Sequence, residues 1–344
     1  MREKREKALF LFLMGAVVLM SFVCLLIGPS HITVRTAIGA VKGTESVANI
    51  RIIRGIRLPR VLAALIAGAG LSVSGLLMQT ALDNPMASPS TLGVSNAAVF
   101  GANISIIAFS GGYLSTGNNV QNYAAGASPY ATSLLAFGFA ALSILLILGL
   151  CKLKSFSPSV VVLSGVAMGS VWTAATTVLQ FYATDVGLSA AVAWSFGDLG
   201  RATYKTDAIM LAVTLTGYLI FTLCRWQCNA LLSGDATARS MGVSVDRLRF
   251  VCLLLSSLIT AVIVSFLGVI GFVGVICPHL VKRLIGEDHR ITLPLSALSG
   301  SLLLLVSDTL SRSMGNGSAL PVGAVTSLLG APFFVGILLG KKGD

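Results

Sequence analysis

Apolar residues along this chain come in blocks of about 20, the length that crosses a hydrocarbon core of roughly 30 Å. Short polar intervals separate the blocks. The pattern predicts about ten membrane spans. They are Ala8–Gly28, Val61–Leu82, Leu92–Ser110, Ala131–Cys151, Ser159–Phe181, Ala208–Trp226, Phe250–Leu267, a short broken one over Gly268–Pro278, Ile291–Leu310 and Pro321–Gly340. The expected fold is an all-α polytopic membrane protein with one transmembrane domain over residues 1–344. The first block follows Arg2, Lys4, Arg5 and Lys7, but it is too long for a signal peptide and no A-x-A site follows, so it reads as a retained span.

The intervals differ in character. Leu231–Arg249 is polar, carries both signs of charge, and predicts a short helix over Ala236–Met241, capped by Ser233 or Asp235 and ended by Gly242. Such a folded loop either touches a soluble partner or is a solvated connector. Pro29–Arg60 is rich in arginine and contains an amphipathic piece near Val34–Val41. In Asp83–Pro89 the two prolines end one helix and set the start of the next. Gly268, Gly271, Gly274 and Pro278 break the eighth span, and the aromatics of Trp194–Gly200 suit a piece lying at the membrane interface. Ser110–Tyr130 lacks Lys and Arg and is placed outside.

Composition narrows the class. The chain is 55% hydrophobic and 11% charged, with a mean hydropathy of +0.89, whereas a soluble domain is roughly 25% charged. The net charge of +11 sits at the ends of the apolar blocks, which is the positive-inside pattern and needs no nucleic acid. With both termini cytoplasmic, fifteen of the 24 Lys and Arg fall inside and nine outside. Six of those nine cluster: Arg35, Lys42, Arg51, Arg54, Arg57 and Arg60. Either a long first external segment escapes the charge rule or an acidic partner docks there. The six Cys form no C-x-x-C pair; Cys224 and Cys228, four apart near a span end, are either a ligand pair or, like the others, small apolar fillers, and the second reading is preferred, with no metal expected.

Several residues invite a role. Asp308 is an intramembrane carboxylate, and Arg312 stands four residues on, the spacing of a helical ion pair. His279, after Pro278, reads as a hinge-packing or backbone-capping residue rather than a metal ligand. Gln79 and Asn84 either line a path or satisfy backbone freed by Pro85, and Ser157-Pro-Ser159 is either a constriction or a span-start turn. Gly336-x-x-x-Gly340-Lys341 lacks the spacing and the Ser/Thr of a phosphate loop. A secondary transporter would place carboxylates near mid-span, which spans 2 to 8 lack. A membrane enzyme would need clustered His, Asp, Glu or Cys, and three His with scattered acids do not supply it.

Taken in order, Arg57-Leu-Pro-Arg60, Gly68-Ala-Gly70, Ser74-Gly75, Gln79, Asn84–Pro89, Leu92-Gly93-Val94, Trp194, Gly197, Ala238, Met241-Gly242, Gly271–His279, Arg283, Gly286, Asp288–Arg290, Asp308, Arg312, Pro321–Gly323 and Gly330–Phe333 resemble one family. It is the permease subunits of binding-protein-dependent ABC importers for iron–siderophore complexes, haem and cobalamin. The sequence departs from that pattern at Met86, at Leu232-Ser-Gly-Asp235 and at Ala319-Leu320. The resemblance implies the type II importer architecture in a bacterial plasma membrane, as a homodimer or close heterodimer. Two cytosolic ATPases, carrying ATP and magnesium, would dock below and a substrate-binding protein above; the chain itself would bind no cofactor. It implies ATPase coupling through Asp235, Ala238, Arg239, Met241 and Gly242, and binding-protein docking through Arg57, Arg60 and Arg312. It further implies a path or gate at Gln79, Asn84, Ser157 and Ser159, and a structural or hinge role for Gly271, Gly274, Pro278, His279 and Asp308.

Overall fold

Every regular element among the described residues is a helix. The computed structural model describes residues 2–28, 30, 32–109, 129–154, 156–314 and 320–339. The expected outer loop from Ser110, Ala319, and the Gly340–Lys342 end fall outside them, apart from the loop's last two positions, which begin a helix.

Helix α1 covers Arg2–Leu26 and α2 Val34–Lys42. The Thr33 hydroxyl caps α2 by accepting from Thr36 N at 3.3 Å, and Gly43 closes it with φ +83. A short α3, Val47–Ile50, widens into a π-helical stretch over Arg51–Arg57 and continues as α4, Leu58–Ala81. The second span is therefore longer than its apolar block: it runs from Val47, not Val61. The wide turn ends just before Pro59, whose missing N–H would interrupt an ordinary helical ladder.

Helix α5 is Val94–Asn103, extended to Phe109 by a second π-helical turn. Then come α6 (Pro129–Lys154), α7 (Pro158–Phe181) and α8 (Asp185–Ser195). Next are α9 (Tyr204–Leu231), α10 (Asp235–Ser240) and α11 (Val245–Leu267). Helices α12 (Val273–Ile285), α13 (His289–Ser313) and α14 (Val322–Leu339) complete the chain. Seven helices are long and apolar enough to cross a membrane, and Val94–Phe109 and Val322–Pro332 are shorter apolar ones. With α12, these fill the expected ten positions.

The eighth span is broken, but not where the glycine and proline spacing puts it. The break is Gly268–Phe272, and the helix runs on through Pro278 to Ile285. Pro278 lies in the second turn and forgoes only the bond to the residue-274 carbonyl. Gly268 has φ +78, and a Cβ there would strike the Trp194 carbonyl and the Gly197 backbone. Phe272, with φ +67, holds a left-handed conformation without being glycine.

The chain forms two compact units. The first comprises Met1–Leu76, Asp198–Thr222 and Ile270–Asp344. In it α1 packs along α13, and α13 along α12 and α14. Leu13, Val281, Ile285 and Leu295 form one small core there, and Ile32, Ala37, Ala40 and Ile53 another. Helix α4 approaches α12 so closely that a Cβ on Gly75 would overlap the backbone of Gly274. The second unit comprises Leu77–Gly197 and Leu223–Val269. Helix α5 packs on α6 and α7, and α11 on α6, around Leu92, Ala136, Ile147, Val161 and Leu253. Trp172 packs tilted against Phe100 and edge-on against Phe139 and donates from Nε1 to Ser143 Oγ at 2.9 Å.

Candidate functional site

Two groups of polar side chains stand out, one in each unit. In the second unit the interval between α9 and α11 folds around α10. Its N-cap is Gly234, whose carbonyl accepts from Ala238 N at 2.9 Å; neither Ser233 nor Asp235 caps it. The far end is a Schellman closure: Val243 N donates to Ala238 O and Gly242 N to Arg239 O, both at 3.0 Å, with Gly242 at φ +84. Ala238 is fully buried under the turn, whereas Arg239 and Met241 are exposed. Arg239 pairs with Asp246 at 3.4 Å, an exposed contact of small energetic weight.

Asp235 points elsewhere. Both of its oxygens accept from Arg249, Oδ1 from Nη2 at 2.8 Å and Oδ2 from Nη1 at 3.0 Å. Arg249 is 2% exposed and also donates from Nε to Ala81 O at 2.6 Å and from Nη1 to Phe156 O at 3.0 Å. In the sequence Arg249 counts only as one more charge at a span end. Its partners lie 168, 93 and 14 residues away, and no local signal marks it.

Of the expected path residues, Asn84 takes a backbone duty. Asn84 Oδ1 accepts from Met86 N at 2.9 Å and Asn84 N donates to Gln79 O at 3.0 Å, so Asn84 shapes the turn before Pro85. Gln79 is buried within α4. Ser157 is the N-cap of α7, Pro158 opens the helix and Ser159 is exposed in its first turn. A groove of about 470 Å³ runs beside α5 and α7, lined by Ser90, Thr91, Asn96, Ser170 and Thr173 among others. Asn96 Nδ2 there donates to Thr173 Oγ1 at 3.0 Å and to Gly169 O at 3.2 Å.

In the first unit Arg57 and Arg60 are buried, and Arg312 is half-buried with its side chain 6% exposed. Arg57 donates to Leu25 O at 2.7 Å, Leu26 O at 2.8 Å and Ser30 O at 2.7 Å. Arg312 Nη1 donates to Ile27 O at 2.8 Å. These bonds take up carbonyls that the helix leaves unpaired. Arg60 Nε donates to Asp308 Oδ1 at 2.6 Å, and its Nη1 lies 3.6 Å from Asp198. Arg312 Nη2 stands 3.0 Å from Asp308 Oδ2, an ion pair by distance but out of line for a hydrogen bond. The helical pair expected at positions 308 and 312 is thus present, with Arg60 as a further partner.

Around this cluster Arg35, Lys42, Arg51 and Arg54 remain exposed. Asp207, in the first turn of α9, was not singled out in the sequence. It is 3% exposed, and neither carboxylate oxygen makes a hydrogen bond among the described residues. His279 is half-buried within α12, and no group of three or more His, Cys, Asp or Glu suited to a metal occurs among the described residues.

The arrangement closes helix ends and fixes the segments beside them. A candidate ABC transporter permease of Methanocaldococcus jannaschii is 44% identical over 337 residues, covering 97% of this chain and 95% of that one. The hemin transport system permease protein HmuU of Yersinia pestis is 36% identical over 288 residues, covering 83% of each. The Fe(3+)-citrate import system permease protein YfmE of Bacillus subtilis is 30% identical over 339 residues, covering 98% and 96%. A solved structure described as a candidate metal-chelate type ABC transporter, in an inward-facing conformation, superposes with a TM-score of 0.81. It is 28% identical, and the match covers 98% of this chain and 99% of that one. The model of the FecCD transport family matches residues 16–340, so this all-helical chain with the architecture of an ABC importer permease belongs to that family.

Proposed function

We propose that this chain is the membrane-spanning subunit of an importer that carries an iron–siderophore complex, or alternatively haem or cobalamin, across a bacterial plasma membrane. ATP hydrolysis, with its magnesium, belongs in this reading to two separate cytosolic ATPase subunits, and the chain itself binds no cofactor. It works as a homodimer or close heterodimer with both termini in the cytoplasm, and an extracytoplasmic binding protein delivers the cargo. The observation that carries the reading is α10. It is a short helix closed at both ends, set between two membrane-spanning helices, with Arg239 and Met241 outward and Ala238 buried beneath. Such a rigid projection suits a cleft in a partner whose closure on ATP tilts the spans on either side.

The same reading gives the outer cluster to the binding protein. Arg35, Lys42, Arg51 and Arg54 present the exposed charge, while Arg57 and Arg312 hold the end of α1 beneath it and Arg60 pairs with Asp308. Ser157 and Ser159, with Gln79 and Asn84 nearby in sequence to the α4–α5 turn, take the gate, and the uncharged groove along α7 is a surface past which a polar chelate can move. Iron is the first cargo to test, because relatives at 36% and 30% identity are named for hemin and Fe(3+)-citrate. Cells starved of iron, with and without the gene, are supplied with radioiron as citrate, as hydroxamate chelates and as haem. Loss of uptake for one class in the deletion strain is the expected result. Unchanged uptake of all of them removes iron as the cargo, and labelled cobalamin follows.

A further inference from the structure

The geometry points to Arg249 as the positioning residue that makes α10 and the two segments beside it respond together. This role rests on the importer reading above. An arginine–aspartate pair alone would fasten the loop to α11. Here the guanidinium does more, because two of its arms end on carbonyls of other segments. Ala81 is the last residue of α4, and Phe156 immediately precedes the Ser157-Pro158-Ser159 start of α7. Asp235 is the first residue of α10. One side chain therefore joins the loop helix, the end of one span and the start of another.

The chemistry suits transmission. The guanidinium is planar, with its N–H donors fixed at set angles, so a displaced carboxylate must drag the other two contacts or break them. Lysine could keep the charge but not three directions at once. Holding this charge buried is also costly, and its one anionic partner among the described residues, Asp235, is 44% exposed. An apolar residue would serve packing at a span end at least as well, which leaves the three-way contact itself as the reason for an arginine.

The test uses the full permease assembled with its ABC ATPase partner in lipid vesicles. Two exposed serines serve as reporters: Ser233→Cys, just ahead of α10, and Ser159→Cys, in the first turn of α7. Cys224, the half-buried native cysteine, is changed to Ser, the other five being buried. Maleimide labelling rates are read with and without ATP plus vanadate. In the parent protein nucleotide is expected to change the rate at both reporters. In Arg249→Lys the Ser233 reporter still responds, while the response at the Ser159 reporter shrinks by about fivefold or more, the lower end of typical site-to-site coupling.

The exchange Asp235→Arg with Arg249→Asp decides between the two readings of the contact. It restores an ion pair, but aspartate cannot donate to Ala81 O or Phe156 O, so the Ser159 response stays lost. If that response survives in Arg249→Lys, or returns in the exchange variant, Arg249 is a simple fastener and the inference is wrong. Should the lysine variant fail to assemble, Asp235→Asn keeps both carbonyl contacts and loses the charge of the third arm; an undiminished Ser159 response there also overturns the inference. A parent complex in which nucleotide moves neither reporter overturns the importer reading and this role with it.

Discussion

Replacing Asp308 by asparagine tests whether charge organises the buried cluster at the end of α1. The substitution keeps shape and volume, so its cost reads the carboxylate charge alone. Asp308 sits 2.6 Å from Arg60 Nε and 3.0 Å from Arg312 Nη2, and the side chains are 1%, 10% and 6% exposed. At that burial solvent screens little, and removing one partner of a buried pair costs about 3–5 kcal/mol. Two contacts moderate the loss. Arg60 keeps Asp198 at 3.6 Å, although that carboxylate is 46% exposed and weak, and Arg312 keeps Ile27 O. The expected destabilisation therefore lies at the lower end, about 3 kcal/mol. Reversible unfolding in mixed micelles titrated with SDS measures it. A companion Arg60→Met removes the stranded cation, so the double variant should be less destabilised than the two single changes added together, by about 1–3 kcal/mol. A loss under about 1 kcal/mol for Asp308→Asn, or strict additivity in the double variant, would refute the argument.

Three further outcomes follow from the same geometry. Arg57→Met keeps the packed stem but frees the carbonyls of Leu25, Leu26 and Ser30, so amide exchange in the last turn of α1 should accelerate, with a stability loss of about 2 kcal/mol. Gly75→Ala forces a methyl group into the backbone of Gly274 and should cost about 1–3 kcal/mol in the same SDS titration; an unchanged midpoint would show that the helices separate freely there. Arg239→Ala removes an ion pair whose side chains are 58% and 59% exposed, so unfolding should shift by no more than about 0.5 kcal/mol. If the chain is the importer subunit proposed above, ATP-driven uptake should nevertheless fall, and a variant with full uptake would remove Arg239 from the proposed ATPase contact.

Much of the fold was legible because membrane spans announce themselves by length and apolarity. The loop helix was legible too, since Gly242 supplies the left-handed residue that a Schellman closure needs. The start of the second span was not. Four arginines and Pro59 between Arg51 and Arg60 look like a polar boundary, yet Arg57 and Arg60 turn inward onto carbonyls and a carboxylate, and the π-helical turn carries the chain up to the proline. The ion pair at positions 308 and 312 could be found because its partners share one helix turn. Arg60 could not be added to it from spacing, since it lies 248 residues from Asp308. Arg249 was hidden for the same reason.

These arginines solve one problem in the same way. A helix ending near a membrane surface leaves its last carbonyls without partners, in a layer where water is scarce. Arg57 and Arg312 supply donors to the end of α1, and Arg249 supplies one to the last carbonyl of α4. A positive side chain at that position also opposes the negative end of the helix dipole, so each bond gains from charge as well as direction. This changes how the basic residues should be counted. Arg57, Arg60 and Arg312 account for three of the nine cations expected on the outer side, and the side chains of all three are shielded and engaged within the first unit. A charge held against carbonyls inside the protein exerts little of the loop-charge bias that orients a span. By the same rule the buried Arg249 leaves the inner set, so on the expected orientation six cations remain outside against fourteen inside, and the exception to the positive-inside pattern contracts to the exposed group on α2 and the π-helical turn.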